Sequence, residues 1–131
     1  MLTAREIMTD GIVTIQQDAS VQNAIESLIK ERISGLPVTD DKGHLVGVIT
    51  EYALLAIIYD HEVGQQTVAS HMTKEVLTVD INDPINKVAD LCIVHRVRRV
   101  PVMEEGCLVG LISRRDVLKA MHELHQPACT A

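Results

Sequence analysis

The 131-residue chain contains no phenylalanine and no tryptophan, and its only aromatic residues are Tyr52 and Tyr59. Any core must therefore be built from Val, Ile, Leu, Met and Ala, and stacking a flat ligand on aromatic rings is nearly excluded. Long apolar runs are missing too. The longest, "ALLAII", falls far short of the ~20 residues needed to span a bilayer, so no membrane segment is expected. The N-terminus, "MLTAREIMTD", places Arg5 and Glu6 where a secretory leader would need an apolar stretch. The three cysteines, Cys92, Cys107 and Cys129, are odd in number and unpatterned, which fits a reducing, cytoplasmic setting. Basic residues are in the minority, 12 against 18 acids, and a net charge of −6 should repel nucleic acid and anionic lipid. There is no phosphate loop of the form G-x-x-x-x-G-K-[ST], and no serine–histidine–acid set at a recognisable spacing. Catalysis is therefore not expected.

What the chain does have is itself, twice. "IMTDGIVTI" (7–15) pairs with "HMTKEVLTV" (71–79) at an offset of 64, and "SGLPVTDDKGHLVGVIT" (34–50) pairs with "RRVPVMEEGCLVGLIS" (98–113) after one deletion near Lys42. Met8/Met72, Thr9/Thr73, Arg32/Arg96, Pro37/Pro101, Gly47/Gly110 and others are identical and in order. "IVTI" and "VLTV" read as strands. Ser20 and the pair Asp83-Pro84 read as helix starts. Apolar stripes follow at Val21, Ala24, Ile25, Leu28, Ile29 and at Ile85, Val88, Ala89, Cys92, Ile93. Two apolar strands joined by an acidic, glycine-containing turn come next in each half, then helices capped by Thr50 and Ser113. The expected fold is mixed α/β (α+β), two β-α-β-β-α repeats packed sheet to sheet with pseudo-twofold symmetry. Residues 1–60 form repeat 1, 61–67 a joint, 68–125 repeat 2 and 126–131 a tail.

The segments "IMT", "LPV" and "VPV", "GVIT" and "GLISRRD", each in place in its half, resemble the cystathionine-β-synthase-type (CBS) domain pair over about residues 4–120. The resemblance implies ligand clefts between the repeats that take adenine nucleotides or other adenosyl ligands. It further implies that the hydroxyl of the segment G-h-h-[ST]-x-x-D meets phosphate and its acid meets ribose. It implies dimerisation through helices and regulation of an attached or separate partner protein.

The residues add their own argument. Ser113 at a helix start offers a hydroxyl and free N–H groups where the helix dipole favours an anion. Asp116, one turn in, suits the vicinal hydroxyls of a ribose. Arg96, Arg98, Arg99, Arg114 and Arg115 crowd into twenty residues of an otherwise acidic chain, and guanidinium forks match phosphate oxygens. Repeat 1 has Thr50 but Ala53 where repeat 2 has Asp116. The expected main site is therefore Thr78, Val79, Arg99, Val100, Pro101, Ser113, Arg114 and Asp116, with Val100 and Pro101 as an apolar wall for the base. A weaker second site would use Thr14, Leu36, Pro37 and Thr50. Each member also has a plain structural reading: Ser113 and Thr50 as helix caps, Asp116 as a dipole partner, Thr14 and Thr78 as strand threonines. His122, His125 and Cys129 stand at spacings a metal tolerates, but no second cluster supports them and no metal site is expected.

The helix "YALLAIIY" is apolar nearly all round, so Leu54, Leu55, Ile57 and Ile58 are expected to meet a second copy. The sequence thus predicts a regulatory module sensing AMP, ADP or ATP, without a required cofactor, homodimeric, and acting on a partner protein it does not identify. The alternative is a homodimerisation scaffold with vestigial clefts. S-adenosylmethionine and NAD remain open as ligands.

Overall fold

The computed structural model describes residues 2–125; the expected tail and Cys129 lie outside them. The described chain forms two compact units, one of residues 13–76 and one joining residues 2–12 to 77–125. In the first-half unit, β1 (Ile15–Gln16) pairs parallel with β2 (Gly35–Thr39), which pairs antiparallel with β3 (Leu45–Thr50). Helices α2 (Val21–Glu31) and α3 (Glu51–Ile57) complete it. The second-half unit repeats the plan with β4 (Val79–Asp80), α4 (Ile85–His95), β5 (Arg99–Glu104), β6 (Cys107–Ser113) and α5 (Arg114–Leu124). It also carries the short α1 (Ala4–Ile7).

The duplicated architecture extends to irregularities. β3 bulges at Val46, opposite the Val38/Thr39 step, and β6 bulges at Val109, opposite Val102/Met103. Arg32 and Arg96 close α2 and α4 in the left-handed region, at φ 55° and 54°. One of the clustered arginines is thus a helix terminator in both halves. The deletion near Lys42 shows as a tighter turn: Glu105 and Gly106 both have positive φ and make a two-residue connection.

Each unit takes its lead segment from the other repeat. Ala4 is fully buried in the second-half core, its N–H donating to the Asp83 carbonyl at 2.8 Å. Thr9 and Leu111 exchange main-chain bonds of 2.8 and 3.0 Å, extending the sheet past β6. In the first-half unit Val68 takes the place of Ala4, and Thr73 and Val48 exchange bonds of 2.8 and 2.9 Å. The two methionines sit on the two glycines. A Cβ at Gly110 would lie 2.6 Å from Met8 Sδ, and one at Gly47 2.7 Å from Met72 Sδ.

Several sequence expectations shift. The strands "IVTI" and "VLTV" shrink to two residues each, β1 and β4, because only those pair in a ladder; Thr14 and Thr78 immediately precede them, outside any strand. Pro84, not Asp83, is the N-cap of α4, and no side chain caps it. The Ile85 N–H instead donates to the Leu2 carbonyl at 3.0 Å, so a borrowed segment supplies the cap. Asp83 accepts from the Asp80 N–H at 2.8 Å and pairs with Lys87 at 3.1 Å. Leu54 enters its own core, whereas Ile29 and Ile93, expected on buried stripes, are exposed.

Gly110→Ala should cost about 2 kcal/mol and lower Tm by roughly 6–10 °C, because the methyl must displace Met8 and meets the Thr9 carbonyl at 3.0 Å. Adding Met8→Ala should recover part of the loss in the same thermal scan. A second expectation follows from the Asp83 carboxyl, held below its usual 3.8 chiefly by the Asp80 N–H, against some desolvation, and then by Lys87. A lowered folded-state value means that its stabilisation is complete above the unfolded value and drains away as pH falls through the lower one. Asp83→Asn should therefore destabilise at about pH 7 and make little difference at about pH 2, read as denaturation midpoints.

Candidate functional site

The candidate site in the second-half unit is assembled by strand register. Arg99, the first residue of β5, lies directly opposite Ser113, the last of β6. Thr78 precedes β4, whose Val79 pairs with Val102, so it continues that register toward Pro101. The Arg114 N–H donates to the Arg98 carbonyl at 2.8 Å, which fixes how α5 leaves the sheet; the Glu51 N–H does the same to Ser34 at 2.9 Å in the other half.

At the start of α5, Ser113 and Asp116 form a closed capping box. The Asp116 N–H donates to Ser113 Oγ at 3.0 Å, and the Ser113 N–H donates to the Asp116 carboxylate at 3.4 Å. The second bond is long, and hydrogen bonds weaken quickly beyond about 3.2 Å. The carboxylate is half-buried, held at the helix mouth with only a weak internal partner for Oδ2. In the first-half unit only half the box exists: Thr50 Oγ1 accepts from the Ala53 N–H at 3.2 Å, and Ala53 has no acid to return. Helix α3 is seven residues long against eleven for α5. The halves differ in hydroxyl type, acid and helix length at this one place.

Other expected members stand apart from a surface. Val79 and Val100 are 2% and 0% exposed and belong to the second-half core, so their side chains cannot wall a base; only their main chain is left to meet a ligand. Leu36 has the same position in the first-half core. Pro37 and Pro101 are buried on the alternate face of their strands. Thr14, Thr78, Arg99 and Arg114 are exposed, and Thr50 is half-buried. Burial raises the Cys92 thiol above its usual value while the charge of Arg114 opposes the rise. Among the described residues, no group of three or more His, Cys, Asp or Glu is arranged to hold a metal ion. Nor is any described helix long and apolar enough to cross a membrane. The role of Met8 and Met72 was not evident from the sequence, although their doubling alongside Gly47 and Gly110 was a signal of paired contact.

Two repeats of one β-α-β-β-α plan, each with a hydroxyl-capped helix leaving its last strand, define a tandem α+β module. The CBS domain family model matches residues 4–60 and again 68–123, and the chain belongs to that family. Among solved structures it resembles CBSX2, a CBS-pair protein of Arabidopsis thaliana, at 29% identity and TM-score 0.86, covering 96% of this chain and 98% of that one. CBSX2 has also been solved in complex with AMP (29% identity, TM-score 0.84, coverage 95% and 98%). The CBS domain pair of protein MJ0100, solved with 5′-methylthioadenosine and S-adenosyl-L-methionine, matches at 25% identity and TM-score 0.79, over 94% of this chain and 98% of that one. Among longer relatives, inosine-5′-monophosphate dehydrogenase of Methanocaldococcus jannaschii is 34% identical over 88% of this chain, which spans 23% of its length. The chain spans 42% of protein MJ1225 from the same organism, at 28% identity over 89% of this chain. It is thus a CBS pair.

Ala53→Asp should complete the first-half capping box and raise stability by about 0.5–1 kcal/mol, whereas Ser113→Ala should cost about 1 kcal/mol, both measured by chemical denaturation.

Proposed function

We propose that the chain senses an adenine nucleotide, AMP, ADP or ATP, chiefly at the second-half site. The observation that carries this reading is the Ser113–Asp116 box, complete in one half only, with Arg99 opposite Ser113 in the ladder. In this reading Ser113 and the first turn of α5 receive a phosphate, Asp116 takes the ribose hydroxyls, and Arg99 adds charge. Thr78 and the main chain of Val79, Val100 and Pro101 border the base. Arg114, the first residue of α5, adds a second positive charge at the same helix start. The first-half set of Thr14, Leu36, Pro37 and Thr50, lacking the acid, is the weaker site. A relative solved with AMP supports the ligand class, and one solved with S-adenosylmethionine keeps that ligand in the test.

The module acts as a cytoplasmic homodimer joined through its helices, and a regulated partner protein reads its state. Ile29, Leu55, Ile93 and Leu118 support the dimer, since each is an exposed apolar side chain on a helix that also packs on a core. A scaffold without a ligand is the competing reading, favoured by the burial of Val79 and Val100.

Thermal unfolding against AMP, ADP, ATP, S-adenosylmethionine and NAD decides between them. A nucleotide at ~100 times its Kd should stabilise the native state by about 2.7 kcal/mol, a shift of several degrees. Asp116→Ala, compared as the ligand-induced shift and not the starting Tm, should lose most of it. No shift with any ligand at millimolar concentration would leave the scaffold reading standing.

A further inference from the structure

Met8 and Met72, equivalent in the two repeats, are both half-buried and hold matching seats. A Cβ built on Gly110 would stand 2.6 Å from Met8 Sδ and 3.0 Å from its Cγ, and one on Gly47 would stand 2.7 Å and 3.0 Å from the same atoms of Met72. Each thioether therefore lies against bare backbone with no slack on its glycine side. The main-chain donors next to it are already spent. Beside Met8, the Thr9 and Leu111 N–H groups donate to each other's carbonyls; beside Met72, the Thr73 and Val48 N–H groups do the same. The Met8 N–H donates to the Ala4 carbonyl at 2.9 Å, and the Met72 N–H to the Val68 carbonyl at 2.9 Å. Both side chains pack on the core of their own unit, and neither is sealed from solvent. Met103 and Met121 lie in β5 and α5, outside either lead segment.

We propose that Met8 and Met72 are redox-sensitive latches: oxidation of their thioethers to sulfoxides frees the two lead segments, and reduction reseats them. This goes beyond the ligand and dimer readings and depends on neither. A peroxide supplies the oxidising equivalents. The sulfur attacks one peroxide oxygen, and an S–O bond forms as the O–O bond breaks. The departing hydroxide takes the proton of the transferred hydroxyl and leaves as water. Sulfur loses two electrons and the peroxide gains them. The product is a polar S=O group where the packing was apolar. In its seat it meets the glycine face on one side and N–H groups already bonded on the other, so its oxygen lacks a donor unless the segment lifts. Lifting the segment in the second-half unit breaks the Thr9–Leu111 bonds, withdraws Ala4 from the core and removes the Leu2 carbonyl from the Ile85 N–H. In the first-half unit it breaks the Thr73–Val48 bonds and withdraws Val68. A thiol-dependent sulfoxide reductase reverses the step, the oxygen leaving as water while two thiols become a disulfide.

The test uses the full chain with Cys92, Cys107 and Cys129 changed to serine and Met103 and Met121 to leucine, so that peroxide, Met1 aside, meets only the latch sulfurs. Hydrogen peroxide is the oxidant, peptide mass spectrometry counts the sulfoxide at each residue, and amide hydrogen exchange reads each ladder. With both latches oxidised, the Thr9, Leu111 and Ile85 amides and the Val48 and Thr73 amides should exchange about tenfold faster or more, the factor that a buried polar group without a partner commands. Reductases for both sulfoxide epimers, with dithiothreitol, should restore protection. Adding Met8→Leu, compared oxidised against untreated, should keep Thr9, Leu111 and Ile85 protected while Val48 and Thr73 still lose protection. Loss of second-half protection in that oxidised variant would assign the effect to general damage and overturn the proposal. So would complete sulfoxide at residues 8 and 72 with exchange unchanged. Latch sulfurs that stay reduced in peroxide strong enough to convert Met103 and Met121 of the wild type would overturn it as well.

Discussion

The seating of a methionine on a bare glycine, once in each unit, is the contact on which the rest of the structure depends. Met8 can lie flat on β6 only because residue 110 has no Cβ, and with it the chain comes close enough for Thr9 and Leu111 to exchange main-chain hydrogen bonds. That short ladder holds the lead segment in place, so Ala4 fills the second-half core and Leu2 satisfies the first N–H of α4. Met72, Gly47, Thr73, Val48 and Val68 do the same in the other half. Because the lead segment of each repeat is spent on the other repeat's unit, neither repeat can complete a core by itself. The repeat of sequence and the unit of packing are different objects, and their mismatch makes the chain fold as a pair.

Against that shared frame, divergence is confined to a few positions. The bulges at Val46 and Val109 and the left-handed arginines at Arg32 and Arg96 are kept in both halves, since each sets a strand or helix end that the packing needs. What differs lies where the frame leaves side chains free: the hairpin tip, the helix start after the last strand, and the outer helix faces. Ser113 and Asp116 against Thr50 and Ala53 is one such difference, and Arg114 against Glu51, one residue along, is another. Adjacent residues at one helix start thus carry both the proposed ligand chemistry and a reversal of charge between the halves.

The sequence made the order of elements legible, because apolar periodicity, hydroxyl caps and acidic turns each leave local marks; Ser20, Thr50 and Ser113 cap the helices they were expected to cap. It misled where the determining partner is distant in the chain. Nothing near Pro84 shows that Leu2 caps α4, and nothing in the stripe through Ile93 shows that sheet coverage ends one residue earlier. Site residues divided along the same line. Arg99 and Ser113 were both chosen from the sequence, but they face one another only because β6 bulges at Val109, which no local pattern reveals. The inward turn of Val79 and Val100 depends on which sheet face is covered, and alternation alone leaves that choice open.

Asp116 has one carboxylate and, in this reading, two claimants. In the structure it caps α5 through the Ser113 N–H at a long 3.4 Å, and a ribose would draw on the same oxygens. A ligand that takes the carboxylate must loosen the box, while a phosphate at Ser113 supplies a new acceptor for the N–H groups it frees. Capping is thus exchanged, not lost, and the cost of opening the site stays near that of one weak hydrogen bond. The exchange occurs at the root of the helix that carries Leu118 and Arg114 on its outer face. Binding would alter the proposed dimer only to the extent that the two capping states set α5 at different angles, because a ligand shifts an equilibrium by no more than its differential affinity for the two states. The half with Ala53 has no carboxylate to exchange and no such lever. A module built from two copies of one fold therefore has a physical reason to respond through one of them.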